Sequence, residues 1–97
     1  MTQIYYAVTR EQGPNWDPAR PLREQAKWDE HAAFMDGLVD EGFIILGGPI
    51  GDGSRTLLIV AADRKQDIEP RFAADPWVPM GMLRIVRVEP WEILLRA

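Results

Sequence analysis

Leu57-Leu58-Ile59-Val60-Ala61 is an unbroken apolar run, and Phe43-Ile44-Ile45-Leu46 is a second one. Both are short, and glycine or polar turn residues bound them, which marks them as strands. A sheet with one wet face alternates apolar and polar side chains along each strand. These runs do not alternate, so both faces of their sheet need cover. At 97 residues the chain forms one domain, 1–97, with no spare element to supply that cover. A second copy packed sheet to sheet would supply it, so the expectation is a homodimer.

The remaining segments order themselves around these two strands. Ile4-Tyr5-Tyr6-Ala7-Val8-Thr9 reads as the first strand. Gly13 to Pro21, rich in proline, is a loop. Leu22 to Glu41 reads as a helix that ends before Gly42. Its apolar stripe is Trp28, Ala32, Met35, Leu38 and Val39, and His31 lies inside it. Gly48-Pro49 and Gly51 to Ser54 form a turn region between the two apolar strands. Asp63 can cap a second helix running to Ala74, with Gln66 completing a capping box. Pro70 inside that helix requires a late start or a kink. Leu83 to Glu89 is the fourth strand, followed by an extension, Trp91 to Leu94. The order β-α-β-β-α-β gives an α+β, ferredoxin-like fold: an antiparallel sheet with both helices on one face.

Composition narrows the chemistry. Fifteen acidic residues against 11 basic ones leave a net charge of −4. Nucleic acids and anionic membranes call for a basic patch, so neither is an expected partner. No apolar run approaches the ~18 residues of a membrane span. Met1-Thr2-Gln3 leads straight into a strand without a signal-peptide pattern, and the expected location is the cytoplasm. There is no cysteine and one histidine, and neither a phosphate-loop nor a dinucleotide fingerprint is present. The expectation is therefore no metal and no cofactor. Carboxylates, arginines, hydroxyls, backbone groups and one imidazole remain to do any chemistry.

Three segments carry a resemblance. The first is WDEHAAFMDGLVDEG, which holds His31. The second is GGPIGDGS, from Gly47 to Ser54, leading into TLLIVAA. The third is AADPWVPMG, from Ala73 to Gly81, followed by a strand and EPWEIL. In this order and spacing the chain resembles the YCII-related (YciI-like) domains over nearly its whole length. The resemblance implies a ferredoxin-like protomer that dimerises into an α/β barrel. It also implies a histidine-aspartate pair in a cleft, here His31 and Asp75. One branch of that family removes chloride from chlorinated hydroxyquinols, and more distant barrel relatives include muconolactone isomerases and cofactor-free monooxygenases. Many members place an arginine-proline pair directly before the histidine. Here Arg20-Pro21 lies well upstream of it, so no single member's substrate carries over.

Each candidate residue has a functional and a plainer reading. An imidazole exchanges protons near neutrality, so His31 is a general base or acid; alternatively it is a core histidine bonded to a backbone carbonyl. Asp75 orients His31 through one ring nitrogen, or it makes a local turn before Pro76. Gly47 and Gly48 belong to a bulged hairpin connection that could let a ligand approach the backbone closely, with Ser54 as a polar contact. Arg10, Arg20 and Arg23 lie near the first strand and helix, where an arginine clamps a carboxylate or phenolate or merely stays solvated. Of four tryptophans, Trp28 and Trp77 stand nearest in sequence to His31 and Asp75, and could line an aromatic pocket. The expected function is that of a cofactor-free lyase or isomerase acting on a small, aromatic or cyclic molecule. The alternative is a non-catalytic, dimeric module that binds a small ligand.

Overall fold

The computed structural model describes residues 4–97. Met1-Thr2-Gln3, and the reading placed on them, lie outside the described residues. The elements are β1 (Tyr5–Gln12), α1 (Trp28–Asp40), β2 (Ile44–Ile50), β3 (Arg55–Ala61), α2 (Ile68–Ala73) and β4 (Leu83–Trp91). Single 3-10 turns at Leu22–Glu24 and Lys65–Asp67 precede the two helices. All strand pairs are antiparallel, in the order β2-β3-β1-β4, so the fold is the α+β, ferredoxin-like βαββαβ arrangement.

Side chains alternate across a strand, so Tyr6, Val8 and Arg10 of β1 share one face. Val8 and Tyr6 stand opposite Leu58 and Val60 of β3. These residues pack with Leu38 of α1 and with Ile68 and Phe72 of α2, which places both helices on that face. The other face carries Ala7, Thr9, Leu57 and Ile59, with Arg87 and Glu89 on β4. Ile59 is covered by its neighbours, whereas Leu46 of β2 is 63% exposed.

Four expectations need correction. The helix expected over Leu22–Glu41 is two pieces, broken at Gln25–Lys27. At the break the Ala26 carbonyl accepts the Trp77 indole N–H at 2.6 Å. The buried Gln25 side chain donates to the Asp17 and Arg20 carbonyls at 2.7 and 2.8 Å, latching the preceding loop. Lys27 completes the break in the left-handed region, at φ 62°. The Asp63 cap does not form: the second helical segment has no side-chain cap, and Arg64 and Asp67 pair with each other instead. Pro70 falls in the first turn of α2, where its missing N–H leaves no bond unmade. β2 runs on through Gly48-Pro49 to Ile50, which an edge strand tolerates. Val39, assigned to the buried stripe, stays half exposed.

Candidate active site

The N-terminal end of α1 leans over one half of the sheet, and the loop 13–21 closes over the gap. The result is a cavity of about 670 Å³. Its floor is sheet: Arg10 and Gln12 of β1, Gly47 to Pro49 of β2, Thr56 and Leu58 of β3, and Leu83 of β4. Trp28, His31 and Met35 of α1 form one wall; Trp16, Pro18, Arg20 and Pro21 of the loop form the roof. The roof is fastened to the turn before β4. The Gly13 and Asn15 amides donate to the Met82 and Gly81 carbonyls at 2.8 and 3.0 Å, and the Asn15 side chain donates to Met80 at 2.9 Å.

Asp75, fully buried, stands behind His31 at the end of α2. Its carboxylate meets His31 Nδ1 at 2.8 and 2.9 Å. Oδ2 also accepts from Arg10 Nη2 at 2.7 Å, and Oδ1 accepts from the Trp77 backbone N–H at 2.9 Å. The last bond is an Asx turn, so Asp75 shapes the chain before β4 and holds His31 with the same carboxylate. Burial opposes its charge. The bonds from His31 and Arg10 and the Trp77 amide outweigh that burial and keep the carboxyl below its usual range. An ionised carboxylate has no proton to give, so Nδ1 is the donor, and in the neutral form of the ring the lone pair is on Nε2. Nε2 has no hydrogen-bond partner among the described residues, and His31 borders the cavity.

Aromatic rings fix the imidazole plane. Trp77 stacks on His31 at 3.8 Å between centroids, 7° from parallel. Trp16 meets Trp77 edge-on at 5.4 Å, and Trp28 lies tilted 5.8 Å from His31. Trp77 borders the cavity but exposes none of its surface; it backs the imidazole and is no open platform for a ligand ring. Trp28, half-buried, keeps surface toward the space.

The other candidate residues sort by what they already touch. Ser54 reaches the rim, but its hydroxyl donates to Asp52 Oδ1 at 2.6 Å, and Asp52 is held below its usual range by that bond and by the Ser54 amide. Arg20, mostly exposed, pairs with Asp17 at 3.4 Å. Gly48 lines the floor with open space beside it, whereas a Cβ on Gly47 would collide with Leu58. Arg23 lies over the Trp28 ring at 5.8 Å. Arg10 is the residue whose place the sequence reading missed: it is 1% exposed and bonded to Asp75, not turned to a ligand. The signal was its parity, since Tyr6, Val8 and Arg10 share a face once β1 runs past Thr9. Among the described residues no group of three or more His, Asp or Glu side chains is placed to hold a metal ion, and no helix is long and apolar enough to cross a membrane.

No family model matches the chain, and no curated protein matches it either.

Proposed function

We propose that the protein is a cofactor-free acid-base enzyme of the lyase or isomerase type, acting on a small aromatic or cyclic molecule. One observation carries this reading: His31 is bonded through Nδ1 to a buried carboxylate, and its Nε2 is unbonded beside an open, largely apolar cavity. Nε2 takes a proton from a carbon or hydroxyl of the bound molecule. Asp75 stabilises the imidazolium that forms, and the ring returns the proton to another atom of the same molecule or to a leaving group. Trp28, Leu22 and Met35 supply apolar contact area for a ring.

The same reading makes the chain a YCII-related domain that works as a homodimer in the cytoplasm. It is supported by the convergence of the three resembling segments on one cavity: His31 from the first, Gly47 to Ser54 from the second, Trp77 with Asp75 behind the wall from the third. It is also supported by the apolar side chains of the outer sheet face, Leu46 foremost.

The test is hydrogen-deuterium exchange or chloride release from a panel of hydroxylated and chlorinated phenols and unsaturated lactones. General acid-base catalysis contributes ~10²–10⁴-fold, so His31→Ala should lose at least ~100-fold. Equal rates in His31→Ala would sink the proposal. A panel member that shifts the His31 ring signals in NMR, with no panel member turned over, would identify a binding module instead.

A further inference from the structure

Arg10 borders the cavity floor but is almost fully buried, and stability alone does not account for it. Buried ion pairs often do no better than apolar residues of equal volume. Its Nε is buried without a partner, and an unmet donor is destabilising. The structure nevertheless holds it closely. A register shift opposite Thr9 and Arg10 leaves Val86 of β4 as an extra residue, so a bulge in the neighbouring strand lies beside Arg10. The guanidinium lies over the Phe72 ring at 5.2 Å, and Nη1 meets Met35 Sδ at 3.6 Å. Its one anionic partner is Asp75 Oδ2, the oxygen that also meets His31 Nδ1 at 2.8 Å.

We infer that Arg10 is a positioning residue that cancels the Asp75 charge and thereby holds His31 as a neutral base, with Nδ1–H on Asp75 and the Nε2 lone pair toward the cavity. A carboxylate alone beside an imidazole favours the protonated ring, which is no base. With Arg10 on the same oxygen, a protonated His31 would leave two buried cations against one anion. The neutral ring leaves the cluster balanced. The other charges around the cavity are exposed and have partners of their own: Arg20 faces Asp17, and Asp52 is bonded by Ser54. On α1 and its approach, Arg23, Lys27 and Glu30 are exposed. The inference deepens the acid-base reading and rests on it.

Because His31 is the only histidine, its ring signals can be followed without ambiguity in the whole protein. The experiment is an NMR titration of the ring in wild type, Arg10→Met, Arg10→Gln, Arg10→Lys and Asp75→Asn, with ring nitrogen shifts to report the tautomer. Arg10→Met and Arg10→Gln should move the titration midpoint up by roughly one pH unit, as expected for losing a cation this close. Arg10→Lys should restore it to within a few tenths, and Asp75→Asn should move it down. An unmoved midpoint in a folded Met or Gln variant overturns the role of Arg10 while the downward move in Asp75→Asn still stands for the pair. A midpoint indifferent to Asp75→Asn overturns the acid-base reading itself. If neither neutral variant folds but Arg10→Lys does, the charge serves the fold, and the inference is overturned as well.

Discussion

Asp75 is approached from three directions, by an imidazole, a guanidinium and a backbone amide, and no water reaches it. Its pH behaviour follows from that. In the unfolded chain an aspartate titrates near ~3.9, and the folded carboxyl lies lower. A depressed value means that the ionised form stabilises the fold fully above ~pH 4, and that this contribution is lost as the pH falls through the folded value. Asp75→Asn should therefore flatten the acid limb of the stability profile below ~pH 4. It should also lower stability near neutrality by about 3–5 kcal/mol, because Arg10 is left buried and unpaired. Urea unfolding across pH measures both, and parallel acid limbs in the two proteins would refute the assignment. His31 and Asp75 could be named as a pair through the resemblance of their segments, while the residues alone showed only that His31 lies on an apolar helical stripe and that Asp75 precedes a proline. Arg10 was legible only as one of three candidate ligand clamps; its bond to Asp75 was not, because a first strand ended at Thr9 hides which face Arg10 occupies.

Among the elements, the loop 13–21 and the turn before β4 behave as one piece. Gly13 sits so close to the Gly81 carbonyl that any Cβ would strike it, and backbone of this kind cannot swing aside as a side chain can. Gly13→Ala should destabilise the protein by about 1–3 kcal/mol, the usual range for overpacking, and should loosen the roof that carries Trp16. Gly48→Ala, on the cavity floor with open space beside it, should change stability by less than ~0.5 kcal/mol. Comparable losses in the two variants, read from urea midpoints, would contradict this account. The strand order and the two helices were legible because hydrophobic periodicity is a local property. The break at Gln25–Lys27 was not: Leu22 to Glu41 is a sound helical sequence, and the partners found at the break, the Trp77 indole and the 13–21 loop, lie outside it. The failed Asp63 cap has the same character, since the local pattern is correct and Arg64 finds Asp67 instead.

At the scale of the whole molecule, the proposed dimer rests on the outer sheet face. Leu46 is 63% exposed and Trp91 45%, beside the apolar Ala7, Leu57 and Ile59. Static light scattering at micromolar concentration should give about twice the mass of one chain, and Leu46→Glu should shift the protein toward the monomer. A wild-type monomer at that concentration would remove the dimer from the proposal. The sequence pointed to this face because the apolar runs lacked alternation. It did not show that Arg87 and Glu89 make the β4 side of the face charged, since that depends on register. The placement of β1 between β3 and β4 has one more consequence, which concerns time. Tyr5 pairs with both Ala61 and Trp91, and Arg10 reaches Asp75 across 65 residues of chain. Mixed α/β topologies with such distant pairings fold more slowly than helical bundles, because the chain entropy of closing the loops is lost before the contacts repay it. During synthesis, a chain that has emerged only as far as Gly81 holds β1 as an open edge, and the cavity lacks the strand that carries Leu83. The cavity is therefore complete only once the last strand is in place, and a half-made chain holds it without one side of its floor.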